Sequence, residues 1–298
     1  QGIGQHKFTL GGRLEYINYV EEKWLFSPRI SVLLQINPVS AISVSGGRYF
    51  QSPSKIWLIG APQNRQLKAI QADQVVLAYD HTPLEDVKVQ VEVYHKWYSN
   101  YPARLWRPYA VLAPTGFDDI SNDIPFGLEP LVSQGKGYSR GFEIFIQKKL
   151  SEIPLYGLLS FTLSESKFKS LKGGYRPSTY DSRVIFNLAA GYRINQEWEL
   201  SSKFRIATGQ PTTAFLPGGQ RDWENYNLGK RFPTFHALDF RADKRWNFTK
   251  YTLITYLDIQ NIYGRKNVSN LRWNSKENKI EYGRSIGVLP SIGVSFEF

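Results

Sequence analysis

The last ten residues of the chain alternate between apolar side chains and small or charged ones, and the chain ends on an aromatic residue. Because successive side chains of a β-strand point to opposite faces, this alternation predicts a strand with one apolar face, as a lipid face and a lumen face require. Outer-membrane β-barrels carry such an ending for assembly, with Phe296 and Phe298 as the aromatic signal residues here. From this strand alone, the last strand of a soluble β-sandwich is an equal alternative.

Period-2 alternation recurs along the whole chain and predicts about twelve strands. They span residues 7–19, 28–36, 40–50, 68–81, 87–98, 137–150, 155–165, 183–194, 197–207, 234–246, 251–262 and 289–298. Short turns alternate with long connections, as the periplasmic and extracellular ends of an outer-membrane barrel do. The longest connections are 99–136 and 263–288, and a β-ribbon extension within the second is one reading of its length. An even number of strands would place both termini in the periplasm.

Several predicted strands carry charge at every second position. Charged rows need water or opposite charges beside them, so this pattern indicates a polar lumen whose wall is a ladder of cross-strand ion pairs. The predicted lumen-wall residues are Glu199, Lys203, Arg205, Asp239, Arg241, Asp243 and Arg245. A soluble sandwich would turn the same charges outward, which alternation alone does not distinguish.

Two further features favour an all-β, antiparallel transmembrane β-barrel. Aromatic residues lie near the ends of the apolar faces, at Tyr192, Trp198, Trp246 and Tyr251, and the connections alternate in length. The chain has no apolar run of about 18 residues and therefore no transmembrane helix. Its mean hydropathy of −0.37 is compatible with barrel strands.

Composition narrows the function classes. The absence of cysteine excludes a disulfide framework and a thiolate metal site. The net charge of +11 comes from scattered residues without a basic stripe, so we expect no nucleic-acid partner. With no methionine and no signal segment, we expect Gln1 to be a mature or internal N-terminus.

Aromatic residues combine with charges in the long connections. Aromatic planes beside cations bind sugars, peptides or anionic chelates, although such residues also pack loops against one another. The candidate substrate-binding residues are Trp57, Arg104, Trp106, Arg107, Tyr109 and Trp223.

We expect no metal site, no cofactor and no enzyme activity. Asp118, Asp119 and Asp123 lack the glycine and terminal glutamate of a calcium loop, so a solvated acidic turn is the better interpretation. The chain has four histidines, and none is placed by the strand pattern beside a nucleophile, so we predict no catalytic residues.

The segments themselves resemble those of TonB-dependent outer-membrane transporters along essentially the whole chain. The resemblance is carried by residues 25–31, 47–53, 180–183, 191–193, 205–211, 238–241, 244–245, 257–263, 265–268 and 289–298. It implies a bacterial outer-membrane protein that imports a nutrient such as a metal chelate, a peptide or a glycan. It further implies contact with outer-membrane lipid, the barrel assembly machinery and, through a plug, the TonB energy-coupling complex.

The departure from that family is large, because its barrels have 22 strands and an N-terminal plug. Residues 1–298 hold about twelve strands and no plug domain, and therefore resemble the C-terminal half of such a barrel. The chain could be a fragment, a split half completed by a second chain, or a self-closed twelve-strand barrel acting as a passive, porin-like channel. A scaffold that docks partner proteins is a further alternative. An open sheet in lipid would leave backbone groups unsatisfied at both edges.

Overall fold

A computed structural model describes residues 6–111 and 129–298 and shows one large antiparallel sheet. Twelve strands follow one another across it in chain order, because each connection returns the chain beside the strand it has just left. They are β1 (Lys7–Tyr16), β2 (Trp24–Asn37), β3 (Ser40–Gln51), β4 (Ile70–Leu84), β5 (Val87–Arg104), β6 (Leu131–Lys148), β7 (Leu155–Lys169), β9 (Val184–Arg193), β10 (Trp198–Ala207), β11 (Phe235–Asn247), β12 (Thr252–Gln260) and β15 (Leu289–Glu297).

Three short strands complete the inventory. The two-residue β8 (Arg176–Pro177) pairs with the end of β7. A separate ribbon of β13 (Val268–Asn274) and β14 (Lys279–Arg284) lies within the connection from β12 to β15. The length of this connection had indicated such a ribbon as one possibility. Each of the twelve predicted strands matches a strand of the main sheet, so the all-β antiparallel prediction is confirmed. The largest difference is that β5 and β6 extend farther into the connection between them than predicted.

Short turns and long connections lie at opposite ends of the sheet. The antiparallel order places the turns after β2, β4, β6, β9 and β11 at one end, which we call the short-turn end. The pairing of Thr252 with Glu297 brings the C-terminus to that same end. The long-loop end carries α1 (Lys55–Gly60) and two 3-10 turns, Pro62–Gln66 and Trp223–Asn225. In the described residues no helix has the length and apolarity to cross a membrane.

The two faces of the sheet differ sharply in chemistry. One face carries the apolar alternation, and its side chains are exposed, with Leu10 at 73% and Ile292 at 82% of full exposure. No second layer of described structure covers this face, whereas a sandwich would bury it under another sheet. Soluble proteins rarely expose apolar patches beyond a few hundred Å². The apolar face therefore lies against lipid, and the soluble-sandwich alternative is rejected.

The sheet has two outer edges. Within the described chain, β1 pairs only with β2, and β15 pairs only with β12. Both edge strands are exposed along almost their whole length.

Candidate functional site

Connections at the long-loop end pack together around a small apolar core. We call this cluster the loop core; it comprises Trp57, Leu58, Leu67, Ile70, Tyr101, Val111 and Leu131. Its members come from α1, the connection into β4 and the start of that strand, the extended upper parts of β5 and β6, and the connection that follows β5. Trp57 is only 3% exposed, so its ring packs loops together and does not face a ligand.

Asn64 stabilises the loop core through buried hydrogen bonds. Its fully buried side chain donates hydrogen bonds to the carbonyls of Trp57 (2.7 Å) and Glu129 (3.0 Å), and its oxygen accepts one from the Leu131 amide (2.7 Å). One side chain thus satisfies three buried backbone groups of two connections. No signal in the sequence pointed to Asn64, because two of the three groups it binds, on Glu129 and Leu131, lie more than sixty residues away along the chain.

Trp223 joins the site through two arginines. The guanidinium groups of Arg107 and Arg104 lie 4.0 and 5.3 Å from the centre of its ring. Arg104 Nε also bonds Glu129 Oε2 at 2.8 Å, and Arg107 Nη1 lies 3.8 Å from the same oxygen. Cations over an indole face and a shared carboxylate hold these four side chains in one arrangement. Three of the six candidate binding residues therefore meet: Arg104 and Arg107 from the region between β5 and β6, and Trp223 from the connection between β10 and β11.

Tyr109 lies beside this group through Arg176. The Arg176 guanidinium lies 4.7 Å from the Tyr109 ring centre and donates to the carbonyl of Glu224, next to Trp223, at 2.6 Å. Burial lowers the pKa of Arg176 from its usual value, and the nearby Tyr109 and Asp222 only partly oppose that. Trp106, in contrast, is 61% exposed and presents its ring to the outside of the loops.

A second group of polar residues, which sequence reasoning missed, ties the later connections together. Asp181 is 2% exposed; it pairs with Arg231 and with Arg183 (2.9 Å) and accepts the amide of Ser166 (2.7 Å). Asn227, at a positive φ of 56°, accepts from Thr213 Oγ1 (3.3 Å), whose oxygen in turn accepts from the Asn227 amide (3.0 Å). The loops of the long-loop end thus form one connected platform.

The residues predicted for the lumen wall form ion pairs along β10 and β11, on the face opposite to the apolar one. Asp239 lies 3.0 Å from Arg205 and 3.4 Å from Lys203, Glu199 lies 3.5 Å from Arg245, and Arg241 binds its neighbour Asp243 at 2.6 Å. Opposite charges across the strands leave few unpaired groups on this wall. The wall borders a cavity of about 740 Å³ whose lining also includes Tyr156, Arg193 and Asp258.

Asp239 also anchors the last long connection. Its Oδ1 accepts the amide of Asn261 at 2.9 Å, and Asn261, at a φ of 52°, donates its side-chain amide to the carbonyls of Arg265 (2.8 Å) and Gly287 (3.1 Å). Asparagine tolerates this left-handed conformation better than most residues, which fits its place where the chain leaves β12.

The predicted assembly residues lie at the short-turn end. Phe296 faces outward with its ring centre 6.3 Å from that of Tyr251, and the side chain of Phe298 is fully exposed. Asp118, Asp119 and Asp123 lie outside the described residues.

Comparison with known proteins agrees with this architecture. Residues 2–262 match the family model described as TonB dependent receptor-like, beta-barrel. The ferripyoverdine receptor of the Pseudomonas aeruginosa outer membrane is similar in structure, with a TM-score of 0.69, 12% identity, and coverage of 98% of this chain and 36% of that one. The outer membrane transporter YddB from Escherichia coli has a TM-score of 0.67 and 13% identity, with coverage of 97% of this chain and 43% of that one. The FrpB iron transporter from Neisseria meningitidis has a TM-score of 0.62 and 16% identity, with coverage of 91% of this chain and 39% of that one. The chain thus spans well under half the length of these structures. No curated protein matches the sequence.

Proposed function

Because the chain belongs to the TonB-dependent receptor-like β-barrel family, a family of outer-membrane transporters and not of enzymes, we propose that it forms the C-terminal portion of a receptor barrel that imports a nutrient. The observation that carries this proposal is a single sheet of twelve full-length strands with one lipid-facing side, one charged side and a connected loop platform at one end. A barrel of 22 strands would need about ten more.

The orientation follows from loop length. Outer-membrane barrels have short periplasmic turns and longer extracellular loops, so the short-turn end and both termini belong in the periplasm. The loop platform then faces the outside, where a ligand arrives. The charged wall around Asp239 and Glu199 faces the lumen, where a plug supplied by the rest of the receptor would lie and connect it to the TonB complex. Insertion would depend on the barrel assembly machinery.

An anionic metal chelate is the ligand class that the platform suits best. Arg104 and Arg107 are each only 4% exposed and pair with Glu129, so they hold the ring of Trp223 in place. Arg176 is partly exposed beside the ring of Tyr109, and this cation with the partly exposed aromatic rings attracts negative charge and stacks on flat groups. The receptors and transporters similar in structure include the ferric citrate transporter FecA and the siderophore receptor PiuA from Acinetobacter baumannii. At such low sequence identity, their structural similarity supports the fold alone. The choice of ligand class therefore rests on the arginine and aromatic side chains of this chain. Peptides and glycans are the other nutrient classes.

A self-closed channel would require β1 to pair with β15, and the two strands share no pairing within the described chain. Cysteine cross-linking tests this directly, since residues 1–298 contain no cysteine that would compete. Pairs would combine Leu10→Cys or Leu14→Cys in β1 with Ile292→Cys or Val294→Cys in β15, in protein oxidised within outer membranes.

We expect no internal cross-link between these positions, and instead a link from each edge to a cysteine scanned through the additional strands. Leu33→Cys with Lys7→Cys, which are direct partners in β1 and β2, is the positive control. An internal β1 to β15 link would refute the half-barrel and favour the channel. Intact mass and co-purifying chains after extraction in mild detergent provide the independent check.

A further inference from the structure

The lipid-facing side carries an unexpected group of cations near the long-loop end. Arg140 and Lys167 at outward-facing positions, together with Arg183 just before β9, surround the carboxylate of Glu165 at distances of 2.5 to 3.2 Å. Charged side chains are rare on the lipid face of a barrel because lipid does not solvate them. Arg183 also pairs with Asp181, which it shares with Arg231, so these two carboxylates face four cations.

Two more lysines extend this group. Lys136 and Lys169 are direct partners across β6 and β7, on the same outward face. Like charges directly opposite one another destabilise a sheet, and among the described residues no carboxylate lies within ion-pair distance of either lysine. We call Lys136, Arg140, Lys167, Lys169 and Arg183 the outer basic cluster. Within the described residues its two exposed lysines have no anionic partner, which favours an anion bound at this surface.

The depth of the cluster matches a lipid headgroup. Lys148, at the short-turn end of β6, lies twelve residues from Lys136, or about 40 Å along the strand at roughly 3.4 Å per residue. A tilt of about 35 to 45° reduces this to roughly 30 Å of depth, which is the thickness of the hydrocarbon layer. Lys136 and Lys169 are therefore at the level of the phosphates when Lys148 is at the opposite surface.

An apolar groove runs down from the cluster into the membrane. It has a volume of about 760 Å³, and Arg140, Glu165 and Arg183 line its upper end. Its remaining wall is largely aliphatic and aromatic: Val75, Leu77, Val93, Trp97, Phe142 and Leu163. Groove and cluster together match an amphiphile with an anionic head and an acyl chain.

We propose that this surface binds a phosphorylated membrane lipid in the leaflet at the long-loop end, with the phosphate on Lys136 and Lys169 and an acyl chain in the groove. This lipid site rests on the membrane placement of the barrel and is independent of transport. Charge complementarity selects the occupant, because a zwitterionic lipid would leave the opposed lysines unneutralised.

Fluorescence quenching in bilayers tests the site. The protein, purified as it occurs in outer membranes, would be placed in phosphatidylcholine bilayers in which either the phosphatidylcholine or a minor fraction of phosphatidic acid carries brominated acyl chains. The difference between wild type and Trp97→Phe isolates the signal of Trp97, which is half exposed beside the groove. We expect brominated phosphatidic acid to quench Trp97 several times more than its mole fraction predicts.

Substitutions then assign the preference to the cluster. Lys136→Gln and Lys169→Gln should each weaken it by about fivefold, the worth of roughly 1 kcal/mol per cation near a membrane surface, while Lys136→Arg should retain it. Lys244→Gln is the matched control, because Lys244 also faces lipid beside Trp246 but at the short-turn end.

Three results would overturn the lipid site: equal quenching by both headgroups, an unchanged preference after loss of both lysines, or loss of the preference on adding inorganic phosphate, which would indicate a free-anion site. Nutrient uptake is measured separately in the same variants, so failure of the lipid site and failure of transport remain distinguishable.

Discussion

Replacing Asn64 by alanine should loosen the loop platform while leaving the sheet intact. The side chain is completely buried and makes three hydrogen bonds to backbone groups of the loop core. At a net value of about 1 kcal/mol each, their loss destabilises the closed platform by about 3 kcal/mol, and more where a buried carbonyl stays unsatisfied. Since about 1.4 kcal/mol corresponds to a tenfold change, the population of the open platform rises roughly a hundredfold.

Hydrogen exchange of the Leu131 amide measures that population, because this amide donates to Asn64 Oδ1 only while the platform is closed. We expect its exchange to accelerate by about two orders of magnitude, while amides in the middle of β10 keep their protection. Asn64→Asp separates hydrogen bonding from volume: it keeps an acceptor for Leu131 but turns a carboxylate toward two carbonyls, so it should be at least as damaging as alanine.

Asn195→Ala is the matched control. Asn195 also caps backbone amides, those of Glu197 (2.9 Å) and Trp198 (2.8 Å), but in an exposed turn at the short-turn end where water replaces the lost bonds. It should leave the Leu131 amide unchanged. Wild-type exchange of that amide in both Asn64 variants would refute the assignment of Asn64 as the fastening residue of the loop core.

Three further predictions follow from individual side chains. Trp106→Ala should weaken ligand binding by about fivefold, which corresponds to roughly 1 kcal/mol for one exposed aromatic contact, without changing thermal stability. Trp57→Ala should destabilise the loops by about 3 to 5 kcal/mol, because that ring is buried. Ligand titration and calorimetry of both variants check this contrast. The hydrogen bond from Lys148 holds the pKa of Asp86 below its usual value of 3.8, so the pair stabilises its turn at neutral pH and loses this effect as the pH falls through the lowered pKa. Lys148→Met should raise the pKa of Asp86 in an NMR titration. An unchanged pKa would contradict the pairing. Deleting Phe298 should lower the amount of protein inserted in the outer membrane but not the melting temperature of what is inserted, because its ring is fully exposed among the described residues. An equal drop in both would assign Phe298 a structural role instead.

The main sheet was predictable because period 2 is a local signal. A residue that faces lipid differs in chemistry from its neighbours that face the lumen, and each strand repeats that difference several times. The predicted ends of β5 and β6 were too short where the surroundings of these strands change from lipid and lumen to packed loops. The upper parts of β5 and β6, near Arg104 and Leu131, rise beyond the lipid and pack against loops, so their side chains no longer alternate in the same way.

The candidate site was predictable in residue type but not in arrangement. Arginines beside aromatic residues pointed to the right connections, yet the contact of Arg107 with Trp223 joins positions more than a hundred residues apart. Trp57 shows the converse, because a tryptophan beside aliphatic residues in a long loop fits a binding surface and a loop core equally well. Only burial distinguishes the two. Asn64 and Asp181 carried no signal, since Glu129 and Leu131, which Asn64 binds, and Arg231, which pairs with Asp181, belong to distant segments.

The edges of the sheet give the strongest physical reason for additional strands. About half of the backbone N–H and C=O groups of β1, and as many of β15, point away from their one paired neighbour. For two strands of ten and nine residues this amounts to roughly twenty groups. In hydrocarbon each unsatisfied group costs several kcal/mol, so the total is of the order of tens of kcal/mol and exceeds the 5 to 15 kcal/mol that stabilises a typical domain. A membrane therefore does not tolerate these edges uncovered. Since β1 and β15 do not pair with each other, we infer that further strands cover both, and the twelve strands described are stable in lipid only as part of a larger barrel.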